Sequence, residues 1–117
     1  MKYWPYIFLC ATLWGCEKDE VAPNKFRDTN LLTIADLQDR RSGDSLILFF
    51  QHENPGFRES AALALGSIQD SNFVVPLRDL LLSDKETTVR RAAAYAIGQT
   101  PGVSSEIALG EASSNEK

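Results

Sequence analysis

The sequence predicts an all-α fold, a short right-handed α-solenoid of antiparallel helix pairs with about five to six helices. Three observations predict it: a stretch that occurs twice at a fixed offset, helical periodicity in both copies, and short polar turns between the helices. Phe57-Arg58-Glu59-Ser60-Ala61-Ala62-Leu63-Ala64-Leu65-Gly66 aligns with Val89-Arg90-Arg91-Ala92-Ala93-Ala94-Tyr95-Ala96-Ile97-Gly98 at an offset of 89 − 57 = 32 residues. A constant period of about 20–50 residues marks stacked units that share one core.

At 117 residues, with 44% apolar and 24% charged residues, the chain suits one small globular domain. Its net charge of −4 lacks the excess of basic residues that a phosphate-binding face needs, so no nucleic-acid partner is expected. The lone histidine, His52, and the cysteines Cys10 and Cys16 do not make a His/Cys metal site, and no cofactor is expected.

Taken from its start, the chain opens with Lys2 and an apolar run that ends at Cys16, followed by Glu17-Lys18-Asp19-Glu20. The run is too short for a permanent membrane span and suits a cleavable export signal. Leu13-Trp14-Gly15-Cys16 resembles a bacterial lipobox in Leu13, Gly15 and Cys16, though not in Trp14. The resemblance implies a signal peptide at 1–15, cleavage before Cys16, and lipidation of Cys16 that anchors the chain to a membrane. A plain secretory signal cut elsewhere and a buried N-terminal helix are the alternatives. Lys18-Asp19-Glu20 resembles the export tag of Bacteroidetes surface lipoproteins, which implies outer-membrane localisation with surface display; an ordinary charged linker has the same composition. Residues 16–29, with Pro23 and Asn24, read as an acidic and polar tether.

The helical domain is expected over 30–113. Asn30 to Arg41 is amphipathic, with Leu31, Ile34, Ala35 and Leu37 inward and Arg40 and Arg41 at the negative end of the helix dipole. Ser42-Gly43-Asp44 is a turn, and Ser45 to His52 is the second helix. Periodicity alone allows a strand at Leu46–Phe50, and the helical context decides against it. This pair reads as an atypical first repeat that caps the stack.

In the next helix Asn54 caps, Pro55 takes the first position, and Ala61, Leu65 and Ile68 face inward with Ala62 alongside. Its copy places Ala93, Ile97 and Thr100 there, with Ala94 and Tyr95 beside them and Ser83 to Glu86 as a capping box. Alanine allows close helix approach, and Gly66 and Gly98 read as approach points or helix-ending residues. Between the copies, Asn72 is a cap, Pro76 lies in a first turn, and Phe73, Val74, Leu77, Leu80 and Leu81 form an apolar face.

These residues resemble the HEAT-like repeat of the short-period, phycobilisome-lyase type: a turn aspartate, a hydrophobic-Arg pair, an alanine-rich stretch and a final Leu-Gly or Ile-Gly. Asp84, Val89-Arg90, Ala92, Ala93, Ala96, Ile97 and Gly98 carry the resemblance, as do Phe57-Arg58, Ala61, Ala62, Leu65 and Gly66. It implies structural roles for Arg58, Gly66, Asp84, Arg90 and Gly98, with Asp84 bonded to Arg90 along the solenoid and Arg58 in the same part.

After Pro101-Gly102 the offset places Glu106, Ile107 and Leu109 on Val74, Val75 and Leu77, so a third second-layer helix begins. Gly110, Ser113 and Ser114 replace the leucines, which implies either a truncated solenoid or a fraying last helix, with a disordered end at 114–117.

No residue pattern points to catalysis. His52 and Glu53 are neighbours and diverge on a helix, so His52 reads as a surface end residue. Arg40-Arg41 and Arg90-Arg91 read as a structural arginine with a solvated neighbour, or as a partner patch; Tyr95 reads as core or groove lining. Three functions compete. The first is a non-catalytic envelope lipoprotein whose repeats form a scaffold for an unknown protein partner. The second is the truncated N-terminal part of a cyclophilin-type peptidyl-prolyl isomerase. Lys25-Phe26, Gln38-Asp39-Arg40-Arg41, Asn54-Pro55 and Ala92 to Gln99 resemble Bacteroidetes lipoproteins that carry HEAT repeats before such a domain. The catalytic β-barrel would not fit in these residues. The third is a bilin lyase, implied by the repeat family's name, for which the sequence offers no chromophore context.

Overall fold

A computed structural model describes residues 27–115, and among them every regular element is helical. The expected signal peptide, Cys16 and most of the tether lie outside the described residues, as do residues 116 and 117. The helices are α1 (Thr29–Asp39), α2 (Gly43–Ile47), α3 (Pro55–Ile68), α4 (Val74–Ser83), α5 (Thr87–Gln99) and α6 (Val103–Ser114). Short 3-10 turns at Leu48–Gln51 and Ser71–Phe73 extend α2 and lead into α4. α1, α3 and α5 pack side by side as one layer; α2, α4 and α6 form the other, joined to it through α3 and α5.

The core is the seam between α3 and α5. Ala61, Ala62, Leu65, Ala93, Ala96 and Ile97 are fully buried there. Alanine favours the helix and keeps the axes close. Gly66 takes the tightest point: a Cβ added to it would lie 3.0 Å from the Cα and 3.1 Å from the Cβ of Ala96. Leu46, Leu77 and Leu80 close the core from the second layer, each contributing about 1.5–3 kcal/mol of burial.

The helix ends obey local chemistry. Asp28 accepts from the Asn30 and Leu31 N–H groups at the start of α1. Asn54 accepts from Gly56 at the start of α3, with Pro55 in the first turn. α1 closes with the Ser42 N–H bonded to the Leu37 carbonyl and that of Arg41 to Gln38, which drives Arg41 to φ 56°. From there the Arg41 guanidinium reaches across to α3 and donates to the Ile68 carbonyl at 2.6 Å. α3 ends on Gln69, also left-handed at φ 58°.

Several expectations are corrected. The Ser83–Glu86 capping box does not form. Ser83 is still inside α4 and donates to the Asp79 carbonyl, while Asp84 accepts the Glu86 N–H. Asp70, not Asn72, caps the turn into α4. The second helix is α for five residues only, Gly43–Ile47, and then tightens to a 3-10 turn. The tighter 3-10 turn buries Phe50 and leaves Leu48 exposed. Ala35 faces solvent, and so does Tyr95, which is 57% exposed.

α6 forms through Ser114, inside the stretch expected to be disordered, but with a different inner face. Ser105 and Ala108 are buried while Glu106 and Ile107 are exposed. The Ser105 hydroxyl donates to the Thr100 carbonyl at 2.7 Å, and Thr100 Oγ1 donates to the Ala96 carbonyl at 3.1 Å. A polar pin therefore does here what leucines do under α4. Gly98 is open, with no atom within 4 Å of an added Cβ. No described helix is long and apolar enough to cross a membrane.

Candidate interaction surface of the second layer

Arg58 stands in the first turn of α3, and Asp84 in the turn between α4 and α5. Both face inward, and their side chains are 7% and 6% exposed. Arg58 Nε donates to Asp84 Oδ2 at 2.7 Å and Nη2 to Oδ1 at 3.1 Å, a two-pronged pair. Nη1 donates to the His52 and Glu53 carbonyls at 2.7 and 3.1 Å. The hydrogen bond to Asp84 raises the Arg58 pKa above its ordinary value against the opposing effect of burial. Burial pushes the Asp84 carboxyl up, but the Arg58 guanidinium, the Glu86 N–H and the Arg90 charge together hold it below the ordinary carboxylate range.

The expected Asp84–Arg90 bond takes another form. Arg90 Nη1 donates to the backbone carbonyl of Asp84 at 2.8 Å and Nη2 to Thr87 Oγ1 at 3.1 Å, while the Asp84 carboxylate goes to Arg58. The two arginines share one local role: each reaches a carbonyl six residues back, His52 for Arg58 and Asp84 for Arg90. The repeat resemblance implies Asp84 with Arg90. Burial selects Arg58 instead, because it is the guanidinium enclosed between two units.

This ion pair lies at the base of a cleft of about 460 Å³ between α2 and α4. Ile47, Phe50, Pro76 and Leu80 supply apolar walls, and Asp79 and Lys85 supply charges. His52 borders it, with Nδ1 accepting the Asn54 N–H at 3.0 Å and its ring edge-on to Phe57 at 4.7 Å. Beyond the cleft, Val75 and Ile107 stand one 32-residue period apart and are 55% and 57% exposed. A second groove, of about 150 Å³, runs between α4 and α6 beside them. The layer thus offers an apolar, lightly charged surface for contact. Among the described residues no cluster of three His, Cys, Asp or Glu is placed to hold a metal.

The other singled-out residues fall elsewhere. Gly66 meets Ala96, and Gly98 meets nothing within 4 Å. Arg40 pairs with Asp36 on the surface of α1, a contact of little energetic weight. Arg91 and Tyr95 point to solvent. The sequence reading named neither of two further contacts by its partner. Gly43, read as a turn, is buried at the start of α2 with the Phe73 ring where a side chain would be. Arg41, read with Arg40 as a dipole pair of which one makes a structural contact, is that structural arginine and caps a helix 27 residues downstream. The 32-residue alignment carries a signal for neither, since both belong to the irregular first unit.

The profile of the family described as HEAT repeats matches residues 22–98, well over half of the chain. No curated protein and no solved structure matches it.

Proposed function

The chain belongs to the HEAT repeat family, and from that premise we propose that it is a non-catalytic envelope scaffold that docks a protein partner on its second helix layer. The observation that carries this reading is the union of the α2–α4 cleft with the exposed Val75 and Ile107 beyond it. Side chains at one repeat position that stay apolar and exposed form a stripe along the solenoid, and extended stripes of this kind mark interaction sites. The buried Arg58–Asp84 pair holds two units in fixed relation and so keeps the surface preorganised.

Location rests on Leu13, Gly15 and Cys16, and on Lys18-Asp19-Glu20 behind them. With Cys16 acylated, the tether would carry the solenoid on an outer membrane, on the surface side if the charged triplet is read as an export tag. Photo-crosslinking tests the scaffold role. A crosslinking residue at Val75 or Ile107 should trap one protein species in cells, and one at Leu63 or Tyr95 should not. Equal trapping from both layers sinks the assignment. An isomerase assay on the same protein should show no turnover; turnover would overturn the non-catalytic reading.

A further inference from the structure

We propose that the outer side of the first helix layer rests on a lipid surface, the bilayer that an acylated Cys16 enters. This placement rests on the anchored reading of the chain and adds to it which face meets the membrane. A groove of about 320 Å³ runs between α1 and α3 on that side. Leu31, Leu32 and Ala35 line it from α1, and Leu63 and Ala64 from α3. Among the described residues that line it, none is ionised. The α2–α4 cleft, by contrast, holds Asp79 and Lys85 beside its ion pair.

Leu32 is 46% exposed and Leu63 40%. Tyr95 stands one 32-residue period after Leu63, is also exposed, and carries the same face onto α5. A single exposed leucine is ordinary, but a groove and three large side chains on one layer form a patch. The charges on its border cancel. Glu59 and Arg91 lie one helical turn before Leu63 and Tyr95 and are opposite in sign. Asp36, one turn after Leu32, pairs with Arg40. A face without net charge suits lipid without net charge, where burial of apolar area supplies the attachment. Tyrosine suits the boundary, with its ring in the apolar zone and its hydroxyl in water.

The tether selects this occupant over others. Cys16 precedes Thr29 by 29 − 16 = 13 residues. Such a segment spans at most about 45 Å, so an anchored domain stays beside the bilayer at high effective concentration. The tether joins α1, a first-layer helix, and Leu31 and Leu32 of the groove stand in its first turn. A modest apolar face is then sufficient, because the anchor has already brought domain and lipid together. The second layer stays open on the other side for a protein partner.

The test is photo-crosslinking with a diazirine residue at Leu63, Tyr95 or Val75 of the full chain, in cells and then in phosphatidylcholine vesicles after extraction from the membrane. Phospholipid adducts, read by mass spectrometry, are expected from Leu63 and Tyr95 and not from Val75. Leu32→Glu should reduce the Leu63 adduct several-fold and leave membrane recovery and helical circular dichroism unchanged, since Leu32 is exposed. Added salt should not change the yield. Adducts from all three positions or from none would overturn the proposal while the anchored reading stands. An adduct indifferent to Leu32→Glu, or abolished by salt, would do the same. Trapping at Leu63 of a second copy, of the chain's own residues 1–15, or of another protein in cells would replace lipid as the occupant. A chain absent from the membrane fraction removes the anchored reading and this placement with it.

Discussion

The Asp84 carboxylate is held by Arg58, which lies 26 residues upstream in the preceding unit, and not by the guanidinium of Arg90 in its own. Both side chains are more than nine-tenths buried, so loss of one leaves the other's charge poorly solvated. Removing one partner of such a pair is far more damaging than the pair's net contribution.

Arg58→Met and Asp84→Asn should each lower unfolding free energy by about 2–4 kcal/mol in urea titration. The double variant should lose less than the sum, because each single change strands the other group. Additive losses would show that the two side chains act independently.

The same pair gives a pH dependence. The folded Asp84 pKa is depressed, so its contribution is complete above the ordinary carboxylate value of about 4 and is lost as pH falls through the folded value. The difference in urea midpoint between the native chain and Asp84→Asn should be constant from neutral pH down to that range and shrink below it. A difference that grows on acidification has the wrong sign for this mechanism.

Gly66 and Gly98 share a repeat position and should respond oppositely to alanine. Gly66→Ala forces a methyl against the Ala96 backbone at 3.0 Å and should destabilise by about 1–3 kcal/mol. Gly98→Ala enters open space near the end of α5 and should stabilise by up to about 1 kcal/mol. Thermal melts of the two variants decide this, and a shared direction would contradict the packing described.

Gln69 ends α3 at φ 58°, where a side chain strains the backbone and glycine does not. Gln69→Gly should therefore raise stability by about 1 kcal/mol or leave it unchanged. A clear loss would mean that the glutamine side chain contributes something beyond its backbone geometry.

Cys16→Ala tests the anchor. On the lipoprotein reading the variant should move from the membrane pellet to the soluble fraction, because acyl chains supply the attachment. Retention in the pellet would remove that reading.

The regular part of this chain was legible because repetition multiplies weak signals. The 32-residue offset, the alanine faces of α3 and α5, and the caps at Asn54 and Pro55 are local properties, set by side-chain size, helix propensity and backbone donors close in sequence. What the amino acids determined by themselves is therefore an all-helical repeat with its period and its main inward stripe. The tertiary structure alone decided which equivalents behave alike. Gly66 and Gly98, or Arg58 and Arg90, are the same letters in the same local context, yet one of each is enclosed by the following unit and the other is not. The same reason explains Gly43 under Phe73, Arg41 on Ile68 and the shifted inner face of α6. Each depends on a neighbour distant in sequence, whose position follows from how the helices stack and not from the residues beside it.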